Sequence, residues 1–259
     1  MGVRRWFPRA VAVVGAVLTV GTVALTPAVA VANGTAATPG QFAFAVQLRL
    51  DDIRRPDGTT YDSACSGVLV SQNWIMTAGH CFHDGNRTRV GGAPRYATTA
   101  RLGTVTTTAP AAGATRSVVW VEQSAVNDIA LARLSAPVTG ITPPALSTRA
   151  PAPGQLLTFA GWGATTSAGP PSQQLYWGQV KVSAVRTTTA LVTGYRPSST
   201  TSACPYDSGA PYVATSAGGA STLVSVESTG PACPHKLPET TSRVDVVAAW
   251  ARKVVSDPR

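Results

Sequence analysis

Long apolar segments and clustered charges are both scarce in this 259-residue chain. Beyond the first thirty residues, no apolar run approaches the roughly 20 residues that a membrane-spanning helix needs. The basic residues are scattered, with no dense run and no interleaved aromatic residues, so we expect no nucleic-acid partner. We therefore interpret the formal net charge of +9 as a property of a solvated surface.

Residues that bind metal ions are also few. The chain has 4 cysteines and 3 histidines, without a Cys-x-x-Cys pair or a histidine cluster. Acidic residues are sparse between positions 80 and 128, which argues against a calcium loop there. We expect no metal and no cofactor. An even number of cysteines in an exported chain favours disulfides instead, although spacing alone leaves three pairings open.

The start of the chain has the three parts of a secretory signal peptide. Arg4, Arg5 and Arg9 form a basic lead, residues 11–25 are almost entirely apolar, and residues 28–30 read Ala-Val-Ala. A membrane anchor is the rival interpretation, but the run is short for a span and a cleavage site follows at once. We predict a signal peptide over residues 1–30 and a secreted, extracellular mature domain over residues 31–259, with no membrane partner after cleavage.

The body of the chain has the pattern of an all-β protein. Short segments with strand character alternate with Gly, Pro, Ser and Thr, which indicates a sandwich or a barrel. They include residues 42–48, 67–70, 74–77, 118–121, 156–160, 175–182, 210–214 and 223–226. Apolar residues recur at helical spacing from Val244 to Val255, which predicts one C-terminal helix. Residues 51–62 and 165–174 are expected to be exposed loops.

Three short segments carry residues that together make a nucleophilic site. His80 lies in Thr-Ala-Gly-His-Cys, Asp128 in Asn-Asp-Ile-Ala-Leu, and Ser208 in Cys-Pro-Tyr-Asp-Ser-Gly-Ala-Pro. A serine hydroxyl is a weak nucleophile until a base takes its proton, and histidine suits that task near neutral pH. A carboxylate then orients the imidazole. His83 is expected in an exposed loop, and His235 has no assigned role.

These segments, with Gly-Trp-Gly at residues 161–163, resemble the chymotrypsin/trypsin family of serine proteases in content and order. The resemblance runs from Val31 to the C-terminus. It implies two packed six-stranded antiparallel β-barrels with a C-terminal helix. It also implies a serine endopeptidase that hydrolyses protein or peptide substrates through an acyl-enzyme, with His80, Asp128 and Ser208 as the catalytic triad. Protein inhibitors are expected as further partners, and we expect a monomer.

The resemblance also implies a disulfide pairing and an activation step. It pairs Cys65 with Cys81 and Cys204 with Cys233. In the family, a newly freed N-terminal amine pairs with the aspartate before the catalytic serine. That partner is Asp207 here, and Val31 directly follows the Ala-Val-Ala site. We therefore expect signal cleavage itself to generate the active N-terminus.

The predicted substrate pocket departs from the family pattern. By alignment it contains Ser202, Ser228, Thr229, Gly230 and Glu239. Ser202 stands where an aspartate would give cleavage after lysine or arginine, and Glu239 replaces a glycine. We consider four roles for Glu239: recruiting a basic substrate side chain, filling the pocket, turning toward Lys236, or pointing to solvent. A preference for small or apolar side chains therefore stays open.

The predicted oxyanion hole consists of the backbone N–H groups of Tyr206 and Ser208. Tyr206 replaces a family glycine, so a positive φ there would strain the backbone. Two other functions remain open for this reason. One is an impaired homologue that binds peptides or proteins without cleaving them. The other is an esterase that uses the same triad.

Overall fold

The computed structural model describes residues 1–3, 31–108 and 113–257. The predicted signal peptide falls largely on residues 4–30, outside the described residues, and stays a prediction. In the described part of the chain, no helix has the length and apolarity to cross a bilayer.

Short strands make up most of the fold, followed by one helix near the C-terminus of the described chain. The strands are β1 (Thr35–Ala36), β2 (Ala45–Arg54), β3 (Thr60–Ser71), β4 (Trp74–Thr77), β5 (Ala97–Leu102), β6 (Ala114–Gln123), β7 (Ala130–Leu134), β8 (Ala145–Leu146), β9 (Leu156–Gly161), β10 (Tyr176–Val185), β11 (Thr189–Arg196), β12 (Pro211–Thr215), β13 (Ser221–Thr229) and β14 (Glu239–Arg243). The helix α1 is Ala248–Ser256.

The N-terminal half forms a closed barrel in the order β2-β3-β4-β7-β6-β5, with all neighbours antiparallel. Side chains alternate between the inside and the outside of each strand. The inward set fills the barrel with aliphatic groups, among them Leu48, Leu69, Ile75 and Leu102, all fully buried.

The C-terminal half forms the second barrel. The order is β10-β11-β14-β13-β12-β9, and the pairing of β9 with β10 closes it. Its core stacks the rings of Phe159 and Tyr212, whose centroids are 5.0 Å apart. The short strands β1 and β8 add to the outside of this barrel. The predicted fold of two six-stranded antiparallel barrels is confirmed.

A third apolar cluster joins the two barrels to the helix. Met76 and Leu131 from the first barrel pack with Val213 and Val226 from the second, and Ala251 of α1 lies in the same cluster. Because this packing fixes one barrel against the other, loops from both can meet at a constant geometry. The predicted C-terminal helix is present, although it begins at Ala248 and not at Val244, where the apolar spacing starts.

Two predictions about loops were wrong. Residues 51–62 form a hairpin rather than a loop, because β2 extends to Arg54 and a tight turn returns the chain into β3 at Thr60. His83 is buried: its ring packs against Tyr96, and its Nδ1 lies 2.6 Å from the carbonyl oxygen of Asp84. A turn signal marks the reversal of the chain but does not say how far the flanking strands extend.

Candidate active site

His80, Asp128 and Ser208 meet where the two barrels face each other. His80 lies in a short 3₁₀ turn after β4, Asp128 precedes β7, and Ser208 lies in the loop before β12. The Nε2 atom of His80 is 2.9 Å from Oγ of Ser208, and its Nδ1 atom is 2.7 Å from Oδ2 of Asp128. A base thus contacts a hydroxyl on one side and a carboxylate on the other.

The carboxylate of Asp128 is held in its ionised form by three donors. The backbone N–H of His80 donates to Oδ1 at 2.8 Å, and the hydroxyl of Ser228 donates to Oδ2 at 2.7 Å. Burial opposes ionisation, but the hydrogen bond from the His80 ring and the charge of that ring outweigh it, so the pKa of Asp128 is lowered. An ionised Asp128 fixes the imidazole with its Nδ1–H toward the carboxylate.

Arg89 and Gln123 tie the histidine turn to the aspartate loop. The guanidinium of Arg89 donates to Oε1 of Gln123 and to carbonyl oxygens of the aspartate loop, those of Ser124, Asn127 and Ile129. The Nε2 atom of Gln123 donates to carbonyl oxygens around the histidine turn, those of Gly79, Phe82 and Val90. A Cβ on Gly79 would lie 2.5 Å from the guanidinium, so only glycine allows this approach.

The loop before Ser208 is a tight turn with an unusual residue at its third position. The N–H of Asp207 donates to the carbonyl oxygen of Cys204 at 3.0 Å, with Pro205 and Tyr206 between them. Tyr206 has a φ of 77°, which is the geometry of a type II turn and normally requires glycine there. Among the described residues, none accepts a hydrogen bond from the N–H of Tyr206 or of Ser208.

The side chain of Asp207 is fully buried behind this turn. Its oxygens accept hydrogen bonds from the N–H groups of Gly163 and Cys204, at 2.8 and 2.9 Å. Burial nevertheless raises the pKa of Asp207 to about 7, because these bonds only partly offset it. Val31 is buried in the second barrel, and the carbonyl oxygen of Ala32 accepts from the N–H of Ser202 at 3.2 Å. Residues 31 and 32 therefore run beside the segment that leads to Asp207.

A pocket with a volume of about 410 Å³ opens beside Ser208 and His80. One wall comprises Ala203, Cys204 and Pro205, and the other runs from Glu227 to Ala232. Three residues predicted for the pocket are in this lining: Ser228, Thr229 and Gly230.

The other two predicted pocket residues are not in the lining. Ser202 and Glu239 are only 1% and 2% exposed. Glu239 turns neither to Lys236 nor to solvent. Its carboxylate accepts from the N–H of Ala203 at 2.5 Å and from the hydroxyl of Tyr212 at 3.0 Å.

Two disulfides brace the loops of this site, in the pairing that the family resemblance implied. Cys65 of β3 is bonded to Cys81 beside His80, and Cys204 is bonded to Cys233. The second disulfide connects the Ser208 loop to the opposite wall of the pocket. Each closes a loop of modest length and contributes about 3 kcal/mol in the chain-entropy account.

Comparison with known proteins assigns the chain to a family. The family model described as Trypsin matches residues 31–251. The chain belongs to the trypsin family. Human serine protease 56 is 29% identical over 255 residues, covering 87% of this chain but 39% of the human protein. Trypsin-1 of Salmo salar is 29% identical over 122 residues, covering 43% of this chain and 46% of the salmon protein.

Serine protease SP24D of Anopheles gambiae is 29% identical over 194 residues, covering 71% of this chain and 67% of the mosquito protein. The chain thus spans about two fifths of the first of these relatives. The relatives are named as serine proteases and trypsins, and those names describe the relatives themselves.

In this trypsin-family chain, sequence reasoning missed residues that surround the site without belonging to a motif. Arg89 and Gln123 carry no local signature, since their partners are backbone carbonyls distant in sequence. Tyr212, Glu227 and His235 were missed for the same reason. The one available signal for Glu227 was a carboxylate directly before the Ser-Thr-Gly pocket wall.

Proposed function

We propose that this chain is a secreted serine endopeptidase that hydrolyses peptide bonds through an acyl-enzyme on Ser208. The observation that carries the proposal is the chain of contacts from Ser208 through His80 to Asp128, at 2.9 and 2.7 Å. A pocket beside the hydroxyl gives a substrate side chain a place to bind.

The chemistry follows from these contacts. Oγ of Ser208 attacks the peptide carbonyl carbon while its proton passes to Nε2 of His80. His80 then gives that proton to the departing amine as the C–N bond breaks, which leaves an ester on Ser208. Water attacks the ester by the same route, with His80 first accepting and then returning a proton, and releases the acid. Asp128 stabilises the imidazolium formed in both halves of the reaction.

The N–H groups of Tyr206 and Ser208 are proposed to stabilise the negative oxygen that forms in these steps. Both donors lack a partner among the described residues, which leaves them available to a substrate. Losing one donor of this kind typically slows an enzyme by about 100- to 1,000-fold. The left-handed φ of Tyr206 supports an active enzyme over an impaired homologue, because the turn that presents these N–H groups is formed despite the tyrosine.

Activation is proposed to follow directly from removal of residues 1–30. In the continuous chain, Val31 has a φ of 53°, a strained value for a β-branched residue. A chain that begins at Val31 has no preceding carbonyl, so that strain disappears. The new ammonium group would then pair with Asp207, whose pKa is raised chiefly by burial and also by the nearby charge of Glu239. This pairing would hold the turn that carries Tyr206 and Ser208.

Turnover of matched amide and ester substrates tests the proposal. A protein beginning at Val31 should hydrolyse a peptide amide, and Ser208→Ala and His80→Ala should each reduce kcat by more than about 1,000-fold. Hydrolysis of esters alone would favour the esterase. Absence of turnover of either substrate would favour the binding homologue.

A further inference from the structure

Three carboxyl groups are buried together behind the substrate pocket. Asp207, Glu227 and Glu239 are 0%, 3% and 2% exposed. The hydroxyl of Tyr212 bridges the two glutamates, at 2.7 Å from Oε2 of Glu227 and 3.0 Å from Oε2 of Glu239. Buried carboxylates are costly unless each finds hydrogen bonds and a positive partner. The partners of the three groups therefore decide what this cluster does.

Glu239 has a histidine partner within the protein. Its Oε1 atom lies 3.4 Å from Nε2 of His235. The Nδ1 atom of His235 lies 3.0 Å from the carbonyl oxygen of Leu237, which accepts only if Nδ1 carries a proton. The contact with Glu239 raises the pKa of His235, and burial of the ring partly opposes this. The hydrogen bonds of Glu239 come from the N–H of Ala203 to Oε1 and from the hydroxyl of Tyr212 to Oε2.

Asp207 also has hydrogen-bond partners. It accepts two backbone N–H groups, from Gly163 and Cys204. Under the proposed function it also receives the ammonium group of Val31. Two of the three carboxyl groups thus have partners within the chain: His235 for Glu239 and, under the proposed function, the ammonium group of Val31 for Asp207.

Glu227 is the one carboxyl group of the three without a charge partner among the described residues. Its Oε2 shares the one proton of Tyr212 with Glu239, and no described residue donates a hydrogen bond to its Oε1. Burial first, and then the charge of Glu239, raise the pKa of Glu227 well above its ordinary range. Glu227 lines the pocket beside Ser208. Among the described lining residues it is the one carboxylic acid, and no lysine or arginine is among them.

We propose that this pocket binds a lysine or arginine side chain of the substrate, and that Glu227 is the carboxylate that recognises it. The inference rests on the proposed function, because it names the substrate class of the same site. The incoming cation supplies the positive partner that Glu227 lacks. It pairs with Oε1 of Glu227 while Tyr212 continues to donate to Oε2.

The assignment to Glu227 differs from the two pocket positions that the family resemblance indicated, Ser202 and Glu239. Ser202 is neutral and buried, and Glu239 is occupied by Ala203, Tyr212 and His235. An apolar substrate side chain would bring Glu227 no charge partner, whereas a cation would lower its raised pKa and form an ion pair with it. An acidic side chain would be repelled by the cluster. A cation is therefore the side chain whose binding the cluster favours.

Matched peptide substrates test the proposal on the protein that begins at Val31. Arginine and citrulline have nearly the same shape, but only arginine is charged. We expect kcat/KM for the arginine substrate to exceed that for the citrulline substrate by about 100-fold, the scale expected for a close charge pair that forms with arginine alone. Equal values, or a preference for a leucine substrate, would overturn the proposal.

Two isosteric variants identify the residue. Glu227→Gln should bring the arginine-to-citrulline ratio to within about threefold of one. Glu239→Gln should lower kcat/KM for both substrates by a similar factor and preserve the ratio, because Glu239 lies outside the lining and supports the pocket wall only through the N–H of Ala203. Loss of the ratio in Glu239→Gln with its retention in Glu227→Gln would overturn the assignment to Glu227.

Two further measurements keep the result interpretable. Butylguanidinium should inhibit the unmodified protein at least about tenfold more strongly than neutral butylurea, and equal inhibition would overturn the proposal even if Glu227→Gln failed to fold. Labelling by an uncharged fluorophosphonate reports the triad independently of the pocket. Labelling without arginine preference overturns only this inference, whereas absence of both labelling and cleavage overturns the proposed function and this inference with it.

Discussion

Tyr206 is the residue at which local backbone preference and the geometry of the site conflict. Its φ of 77° is favourable for glycine and costs a bulky residue on the order of 1 kcal/mol or more. The turn forms because several hydrogen bonds fix it from outside. The carbonyl oxygen of Pro205 accepts from the N–H of Ala164, and that of Tyr206 accepts from Ser66.

Replacing this tyrosine separates strain from catalysis. Tyr206→Gly should raise the free energy of unfolding by about 1 kcal/mol, because glycine adopts this φ without a steric cost. It should keep kcat within a few-fold, since the backbone N–H is unchanged. Urea denaturation and amide hydrolysis measure the two effects. Tyr206→Ala is the matched control, and an equal gain in stability from alanine would contradict the role of φ.

At the scale of elements, the site depends on the relative position of two loops of the first barrel. His80 follows β4 and Asp128 precedes β7, which are paired strands. Because the strands are antiparallel, the end of β4 lies beside the start of β7, and the two loops meet at the same end of the barrel. Arg89 and Gln123 then fix the distance between them through bonds to backbone carbonyl groups.

Arg89→Met should therefore impair both stability and catalysis. Loss of the charged hydrogen bonds leaves several carbonyl oxygens without a donor and should cost about 3 kcal/mol in unfolding free energy. The resulting displacement of Asp128 from His80 should reduce kcat by roughly 100-fold with little change in KM. Calorimetry and steady-state kinetics check the two parts. Arg95→Met, at an exposed arginine, is the control, and similar losses there would contradict the specific role of Arg89.

At the scale of the whole molecule, release of the N-terminus should change how stability depends on pH. The pKa of Asp207 rises from 3.8 to about 7 on folding. An unfolded chain therefore releases this proton at lower pH than the folded chain does. This difference in pKa does not affect the free energy of unfolding below about pH 4, and it lowers that free energy progressively as the pH rises toward 7. The ammonium group of Val31 should remove most of this decrease.

Two forms of the chain test this. A form that keeps one residue before Val31 should lose more of its melting temperature between pH 4.5 and 7.5 than the form that begins at Val31. Asp207→Asn should abolish the difference between them, because no carboxylate remains to pair. Identical pH profiles of the two forms with Asp207 intact would contradict the activation proposal.

The sequence predicted the catalytic residues that stand in short contiguous motifs. It did not predict the strand and the contacts that depend on residues distant in sequence. His80, Asp128 and Ser208 each stand in a local signature, so their meeting could be expected. Strand β14 could not, because its sequence Glu-Thr-Thr-Ser-Arg has no apolar residue, yet most of it is buried between β11 and β13. Glu239 was assigned to the pocket surface because alignment gives a position and not the direction of a side chain.

The central claim is that Ser208 is an activated nucleophile in the mature chain. Mass spectrometry of the protein beginning at Val31, after reaction with a fluorophosphonate, tests it most directly. We predict one label per chain, located on Ser208, with no labelling of Ser208→Ala and labelling slowed by more than about 1,000-fold in His80→Ala. An unlabelled Ser208 in the folded mature chain, or equal labelling of the His80 variant, would contradict the account.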